Sequence, residues 1–380
     1  MPELFKDKFN PQVIESMAAH FQAAWSEFDQ VSFVDFATND LANLELKERS
    51  KQITEAMFCY LPNDFTLASD ILFASLRPYK TEDIYGLTPD NDGIVGWAIM
   101  PMADYVGWYG QGHPDLSMAL LKEMTKRFSS EFGIRHFLLS ENKSKTLATL
   151  KEWTTDDNYH VRRLVSEGIR PRLPWAMQLP DFIANPMPVI ELLETLKDDP
   201  EEYVRRSVAN NLNDIAKDHP DLAANIALKW MADADENRKK LIRHACRTLL
   251  KQSHPTALQV FGYLPVQVKK AKLKIATPTV YLNEHLEFEL HLVSDSSENQ
   301  SLMIDYIIHH QKKNGVTSPK VYKGKKVILK AGNTLNFTKR HPFKQVTTRV
   351  YYPGQHAVEI IVNGVSIAKS EFQFALNNTP

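Results

Sequence analysis

TTDDNYHVRRLVSEG at residues 154–168 and KDDPEEYVRRSVANN at residues 197–211 decide the fold, because the second segment repeats the first. The tripeptide VRR recurs at 161–163 and 204–206, and a weaker third copy, LIRHA, follows at 241–245. Helix pairs that repeat at about the distance between the two VRR tripeptides are typical of HEAT-type solenoids. The sequence therefore predicts an all-α HEAT-like solenoid, with an outer helix, an Asp/Pro-rich turn and an inner helix in each unit.

The spacing inside the repeats separates an apolar helix face from a polar one. In the second copy the residues at core spacing are Val204, Val208, Leu212 and Ile215. Arg206 and Asp214 fall on the other face with Lys217 beside them, and in the first copy that face carries Arg163 and Glu167. Because the inner helices of a solenoid line its concave surface, we expect a cationic surface that contains two carboxylates.

The first copy continues into a second cationic stretch, HVRRLVSEGIRPRLPW at residues 160–175. Pro171 and Pro174 end the helix and favour an extended exit that carries Arg172 and Trp175. Guanidinium groups, one carboxylate and a large aromatic side chain at a helix end suit a planar, anionic ligand. Nucleic acid fits that description best.

From residue 271 onward the hydrophobic period changes from that of a helix to that of a strand. Apolar residues alternate with polar ones at 286–292, at 302–308 and in three shorter segments, and Asn363-Gly364 indicates a type I′ hairpin turn. About seven short strands predict an all-β immunoglobulin-like sandwich. We therefore expect two domains, a HEAT-like repeat domain at 1–265 and a sandwich at 266–380.

The charge is unevenly distributed although the whole chain carries a formal charge of only −1. Residues 269–380 hold 16 Lys and Arg against 8 Asp and Glu, and the segment from Lys312 to Arg349 has eleven Lys and Arg and no acid. A basic C-terminal part on an acidic body indicates binding to a polyanion. We expect the sandwich to grip the backbone of DNA opposite the solenoid, so that the two domains form a clamp.

Other bulk properties point to a soluble, intracellular protein. The two cysteines, Cys59 and Cys246, lie in apolar helical contexts and are expected to be buried thiols in a reducing compartment. No stretch is long and apolar enough for a membrane span or a signal peptide. We expect a cytoplasmic monomer without a membrane partner.

The two carboxylates need an explanation, because an acid in a phosphate-binding groove repels its ligand. They make sense where positive charge appears on the nucleic acid itself, as on an N-alkylated base or on the oxocarbenium-like sugar formed when its glycosidic bond breaks. Glu167 and Asp214 could stabilise that charge and orient water, and Trp175 could add cation–π attraction. Glu131 is a further candidate, because an acid near the end of the preceding helix opposes the helix dipole.

Several blocks resemble the AlkC branch of the AlkC/AlkD family of HEAT-repeat DNA glycosylases. They are HVRRLVSEGIRPRLPW at 160–175, SVANNLNDIAKDHPD at 207–221, LIRHACRTLLK at 241–251, ELKERSKQI at 45–53 and MTKRFSSEFGIRHF at 124–137. The basic sandwich is similar to the immunoglobulin-like domain that some members carry.

The resemblance implies a monofunctional glycosylase that excises 3-methyladenine and 3-methylcytosine from duplex DNA without flipping the base completely into a pocket. Carried over by position, the catalytic candidates are Glu167, Asp214, Trp175 and, more weakly, Glu131. The cations expected to contact DNA are Arg162, Arg163, Arg170, Arg172, Arg205, Arg206, Lys217, Arg243 and Arg247. No cofactor and no metal are expected.

Three alternatives stay open on the residues alone. A non-catalytic HEAT scaffold would need the arginines but not the acids. Glu167 could simply form a salt bridge with Arg163 or Arg170, and Asp214 could form one with Lys217. A bifunctional lyase would need an amine nucleophile, for which Lys217 is the nearest candidate. A metalloenzyme is disfavoured because His113 and His309-His310 lack partners at ligand spacing.

Overall fold

The computed structural model describes residues 5–81, 84, 86–345 and 350–376. By its backbone contacts the chain divides into two compact units, Met1–Asp218 and His219–Pro380. The first unit is helical, and the second combines four helices with all of the strands in the described chain. No helix in the described ranges is long and apolar enough to cross a bilayer.

The helices follow the hydrophobic periods of the sequence. In the first unit they are α1 (Pro11–Ala24), α2 (Gln30–Thr38), α3 (Leu46–Tyr60), α4 (Phe65–Ala74), α5 (Ile99–Tyr109), α6 (Pro114–Thr125), α7 (Ile134–Leu138), α8 (Lys143–Trp153), α9 (Tyr159–Gly168), α10 (Pro180–Ala184), α11 (Met187–Leu196) and α12 (Glu202–Asp218). In the second they are α13 (Pro220–Met231), α14 (Glu236–Ala245), α15 (Arg247–Lys251) and α16 (Pro255–Gln259). The chain is therefore helical where the repeats predict helices.

The two repeat copies fold into the predicted helix pairs, α8 with α9 and α11 with α12, and α9 packs on α12. All four residues predicted to face the core of α12 are at most 1% exposed. Asn158 caps α9 by accepting a hydrogen bond from the backbone N–H of His160. The amide side chain of Asn211 donates to the carbonyl of Ser166 at 2.8 Å and ties the two inner helices together.

The first arginine of each VRR motif holds the turn that precedes its own helix. Arg162 donates to the carbonyls of Asp156 and Asp157, and Arg205 donates in the same way to those of Asp199 and Pro200. Arg162 also pairs through two nitrogens with the buried carboxylate of Asp199, at 2.6 and 3.0 Å. Part of the repeat signature is thus explained by turn geometry.

One helix of the first unit has no signal in the sequence, and one local expectation about this unit was wrong. The glycine-rich segment between residues 79 and 114 contains the full helix α5, whose residues Ile99–Gly107 are all buried. A helix that is buried on every side lacks the solvated face that produces an amphipathic period, so the sequence pattern does not reveal it. Cys59 is exposed on α3, whereas Cys246 is buried as expected.

The strands form two facing sheets. They are β1 (Val268–Ile275), β2 (Thr279–Tyr281), β3 (His285–Ser294), β4 (Gln300–Gln311), β5 (Thr317–Leu329), β6 (Thr334–Pro342), β7 (Gly354–Val362) and β8 (Val365–Ala375). One sheet has the order β1-β3-β6 and the other the order β2-β8-β7-β4-β5, and among the strand pairs of the described residues only β2–β8 is parallel. Alternate residues of both sheets meet in one apolar core, as in the predicted sandwich.

The predicted hairpin turn joins β7 to β8. Asn363 and Gly364 both have positive φ, 49° and 82°, which is the conformation that a type I′ turn requires. The Asn363 side chain donates to the carbonyls of Leu264 and Ser301. The turn therefore ties the sandwich to the segment that follows the last helix, on the far side of the domain boundary expected at 265.

Candidate active site

The candidate site is built around one buried arginine that contacts both predicted carboxylates. Arg170, just beyond the end of α9, donates from Nη1 to Oε1 of Glu167 at 2.6 Å and from Nε to Oδ2 of Asp214 at 2.8 Å. The side chains of Glu167 and Asp214 are only 7% and 1% exposed. The structure thus brings together the two acids that the sequence separates by 47 positions.

Glu167 has further partners that hold it as a carboxylate. Ser207 of α12 donates to Oε2 at 2.6 Å, and Nη2 of Arg163 lies 3.5 Å from Oε1, one helical turn away. Burial alone raises the pKa of the Glu167 carboxyl, but the charges of Arg163 and Arg170 and the hydrogen bonds from Ser207 and Arg170 outweigh it. The pKa of Glu167 therefore lies below its ordinary value.

Asp214 is shared between a buried and an exposed cation. Its Oδ2 accepts from Arg170, and its Oδ1 accepts from Lys217 at 2.7 Å. The Lys217 side chain is 44% exposed, so this partner reaches solvent. The polar face of α12 was predicted to be exposed to solvent, but it is covered at Asp214. The ion pairs with Arg170 and Lys217 compensate the charge of this acid inside the fold.

Glu131 belongs to the same network. Arg163 contacts Oε2 of Glu131 and donates to the hydroxyl of Ser129 at 2.8 Å, and that hydroxyl donates to Glu131. The dipole argument that singled out Glu131 was wrong, because α6 ends at Thr125 and Glu131 lies in the turn before α7. Arg163 thus links Glu131 to Glu167 by contact.

Arg135 organises the chain that carries these groups, and the sequence did not reveal this role. Its fully buried guanidinium donates to the carbonyls of Gly168, Arg170 and Met177, at 2.7, 2.8 and 2.5 Å. Burial lowers the pKa of Arg135 to about 10. An arginine beside Ile134 and Phe137 in a short apolar helix was the signal available in the sequence.

Trp175 lies on the same segment but points outward. Its side chain is 59% exposed, its φ is 64°, and its ring meets that of Phe5 edge-on with the centroids 5.9 Å apart. A φ in this region is costly for a bulky residue and is held by the surrounding structure. The indole borders a cavity of about 330 Å³ that Arg135 and Lys47 also line.

Several predicted DNA contacts already have partners within the fold. Arg172 pairs with Asp218 through two nitrogens, both at 2.7 Å, and Arg162 and Arg205 hold turns. Arg206 is exposed on α12. The contacts of all of these residues with DNA stay predictions, and Arg206 is the most accessible of the group.

The last two cations that the sequence predicts to contact DNA, Arg243 and Arg247, belong to the second unit. Arg243 of α14 is exposed, with its guanidinium 5.7 Å from the centre of the Phe261 ring. Arg247 donates to the carbonyl of His244 at the junction of α14 and α15. Arg349, at the end of the basic run, lies outside the described residues.

The arrangement suits electrostatic chemistry better than acid catalysis. A general acid at neutral pH needs a raised pKa, and that of Glu167 is lowered. Ionised carboxylates in a partly dry setting attract positive charge more strongly than the same groups in water. Within the described ranges no three His, Cys, Asp or Glu side chains are grouped so that they could hold a metal ion.

Two family models match parts of this chain. A family model described as "DNA alkylation repair enzyme" matches residues 128–250, and one described as "Uncharacterised protein YhaZ, C-terminal Ig-like domain" matches residues 269–376. The first match spans Glu131, Glu167, Trp175 and Asp214. The second confirms that the sandwich is immunoglobulin-like.

Two similar proteins cover nearly the whole chain. The Bacillus subtilis (strain 168) protein described as "Uncharacterized protein YhaZ" is 35% identical over 370 residues, which are 97% of this chain and 98% of that protein. The solved structure of Pseudomonas fluorescens alkylpurine DNA glycosylase AlkC, bound to DNA containing an abasic site analog, is 33% identical. That match covers 98% of this chain and 99% of the other, with a TM-score of 0.78.

Proposed function

The chain belongs to the AlkC branch of the AlkC/AlkD family of DNA alkylation repair proteins, and on that premise we propose that it is a monofunctional DNA glycosylase. Its substrates are cationic alkylated bases in duplex DNA, 3-methyladenine and 3-methylcytosine among them. It hydrolyses the N-glycosidic bond without flipping the base completely into a pocket. One observation carries the proposal: two buried acids, one of them with a lowered pKa, are held against a single arginine.

In this mechanism the reaction begins with a base that already carries a positive charge. Such a base leaves as a neutral molecule, so the leaving group needs no proton from the enzyme. As the bond breaks, positive charge moves to the sugar, which becomes oxocarbenium-like. Glu167 and Asp214 stabilise that charge, and one of them orients or deprotonates the attacking water.

The neighbouring residues have supporting roles. Arg170 holds the two carboxylates close together and helps to lower the pKa of Glu167, and Ser207 fixes the orientation of Glu167. Arg163 links Glu131 to the same network, so that Glu131 adds negative charge at its edge. Trp175 offers an exposed aromatic face to the alkylated base or to the sugar.

The experiment is to incubate the full-length protein with methylated duplex DNA and to identify the released bases by mass spectrometry. We expect free 3-methyladenine and 3-methylcytosine, and intact strands that break at abasic sites only after alkali treatment. Strand breaks without alkali would indicate a lyase, with Lys217 as the first residue to replace. Absence of any released methylated base would refute the glycosylase.

A second candidate function is a HEAT scaffold that binds nucleic acid without chemistry. The contacts that favour it are the ion pairs themselves, because Arg170 and Lys217 satisfy both acids inside the fold. A scaffold predicts DNA binding with no base release. The base-release measurement above therefore separates the two functions.

A further inference from the structure

The second unit contains a basic cavity of about 470 Å³ between its last helices and strands β4 and β5. Five cations line the basic cavity: Arg243 of α14, Lys251 of α15, and Lys323, Lys325 and Lys326 of β5. The three lysines of β5 belong to the basic run from Lys312 to Arg349, but the sequence does not indicate that they share a cavity with Arg243 and Lys251.

Lys323 and Lys326 of β5 share one face because the strand is irregular between them. In a regular strand, residues three positions apart point to opposite faces, so these two side chains would diverge. The pairing of β4 with β5 shifts between Ile304 and Asp305, which face Lys325 and Lys323 and leave Gly324 unpaired. A Cβ on Gly324 would lie 2.5 Å from the carbonyl oxygen of Ile304, so glycine permits this bulge.

Among the described residues, a carboxylate pairs with only one of the five cations. Lys323 pairs at 2.9 Å with Asp305, whose side chain is 2% exposed and also accepts from Ser253 at 2.5 Å. No carboxylate of the described residues lies within 4 Å of the cationic nitrogens of the other four, which are Arg243, Lys251, Lys325 and Lys326. Like charges around one cavity repel each other, and a bound polyanion removes that repulsion.

The cavity also has an aromatic side. Phe261 and Tyr263 line it, with Arg243 lying 5.7 Å from the Phe261 ring and Lys326 5.9 Å from the Tyr263 ring. Cations contact the phosphates of a nucleic acid, and neighbouring aromatic rings offer an apolar surface to its sugars or to unpaired bases.

We propose that the basic cavity holds a phosphate group of the DNA strand, contacted by Arg243, Lys251, Lys325 and Lys326. The proposal rests on the proposed function, since it names the place where the second unit takes hold of the same duplex. A free nucleotide offers the same phosphate chemistry, and the experiment distinguishes the two sources.

The test compares the full-length wild type with the cavity pair Lys325→Ala/Lys326→Ala. The matched control is Lys269→Ala/Lys270→Ala, which removes two exposed lysines of β1 outside the cavity. Affinity for an undamaged duplex is measured by fluorescence anisotropy over a range of salt concentrations, together with the affinity for adenosine monophosphate. A second variant, Arg243→Gln, repeats the test on the helical side.

We expect the cavity pair to bind the duplex roughly tenfold more weakly at ~0.1 M salt. The slope of log affinity against log salt should fall by about 0.9 for each phosphate that the variant no longer neutralises. The control pair should change the duplex affinity and the salt slope much less. Equal effects of the two pairs would overturn the proposal, and so would weaker binding of adenosine monophosphate by the cavity pair with duplex binding unchanged. Because the duplex carries no lesion, these outcomes do not depend on whether the wild type releases bases.

Discussion

Arg170 sets the charge balance of the site at the scale of single residues. It meets Glu167 and Asp214 at 2.6 and 2.8 Å in a region from which water is nearly excluded. Removing one partner of a buried ion pair destabilises the folded state by about 3–5 kcal/mol, because the remaining charge is no longer compensated. The same contacts that support the proposed chemistry thus also contribute to folding, and variants of these residues require a stability measurement beside the activity measurement.

The lowered pKa of Glu167 makes its contribution to stability depend on pH. A carboxyl whose pKa is lower in the folded than in the unfolded state stabilises the fold above the unfolded value, and that contribution disappears as the pH falls through the folded value. We therefore expect the gap in unfolding free energy between wild type and Glu167→Gln to be largest above pH 4.5, the ordinary value, and to narrow below it. Urea unfolding at a series of pH values measures the gap, and one that stays constant would contradict the assignment.

The two cysteines give a direct test of burial in the two units. Cys59 is exposed, whereas burial raises the pKa of the Cys246 thiol to about 12. Because the thiolate is the reactive form, a thiol reagent should label Cys59 rapidly in the native protein and Cys246 only after denaturation. Cys59→Ser is the control that should abolish native labelling, and rapid labelling of that variant would show that Cys246 is accessible.

How far the sequence predicts such residues depends on what decides their surroundings. Asp214 and Glu167 could be selected because unlike charge among arginines is unusual in a phosphate-binding groove. Arg170 could be selected as a cation and as a partner of Glu167, but its contact with Asp214 could not be predicted, since it joins residues 44 positions apart. Cys59 was misplaced because its apolar neighbours in sequence do not show which face of α3 is covered.

Repetition is what made the elements predictable. The recurring VRR tripeptide identified helices α9 and α12, and the change to a hydrophobic period of two residues identified the strands of the sandwich. Helix α5 carried neither signal, because every residue from Ile99 to Gly107 is buried. Arg135 on α7 was missed for a related reason: its partners are backbone carbonyls of the 168–177 segment, and backbone groups leave no mark in a sequence.

Two glycines allow a matched test of how the turns of the sandwich are built. Gly364 and Gly332 both have positive φ, 82° and 64°, but only at Gly364 would a Cβ meet other atoms, 2.5 Å from the carbonyl oxygen of Ser253. We expect Gly332→Ala to lower the unfolding free energy by roughly 1–2 kcal/mol through the backbone conformation alone. Gly364→Ala should lower the unfolding free energy by about 1–3 kcal/mol more than Gly332→Ala does, because the added Cβ would clash with the carbonyl oxygen of Ser253. Equal losses in urea unfolding would mean that the turn does not pack on Ser253.

At the scale of the whole molecule, the sequence predicts a boundary at 265, where the helical pattern ends. That boundary stays a prediction, and the compact units instead divide after Asp218. Asp305 accepts from Ser253, Lys323 donates to the carbonyl of Leu250, and Asn363 donates to that of Leu264. A linear pattern cannot show such contacts, because they join residues 52 to 99 positions apart.

These contacts predict how fragments of the second unit behave. A fragment spanning 219–380 should unfold cooperatively, with a midpoint temperature roughly 5 °C or more above that of a fragment spanning 266–380. The shorter fragment lacks the hydroxyl of Ser253 and leaves the buried Asp305 carboxylate with fewer partners. Differential scanning calorimetry of both fragments makes the comparison, and equal midpoints would favour the boundary at 265.

The central claim is that Glu167 and Asp214 are present because the lesion brings its own positive charge. The measurement that tests it most directly is the single-turnover rate of base release from methylated duplex DNA by Glu167→Gln and Asp214→Asn, with duplex affinity and unfolding free energy measured on the same preparations. The account predicts that each variant is slower by about 10²–10³-fold or more while it binds duplex DNA as tightly as the wild type or more tightly. Folded variants that release methylated bases at the wild-type rate would contradict it.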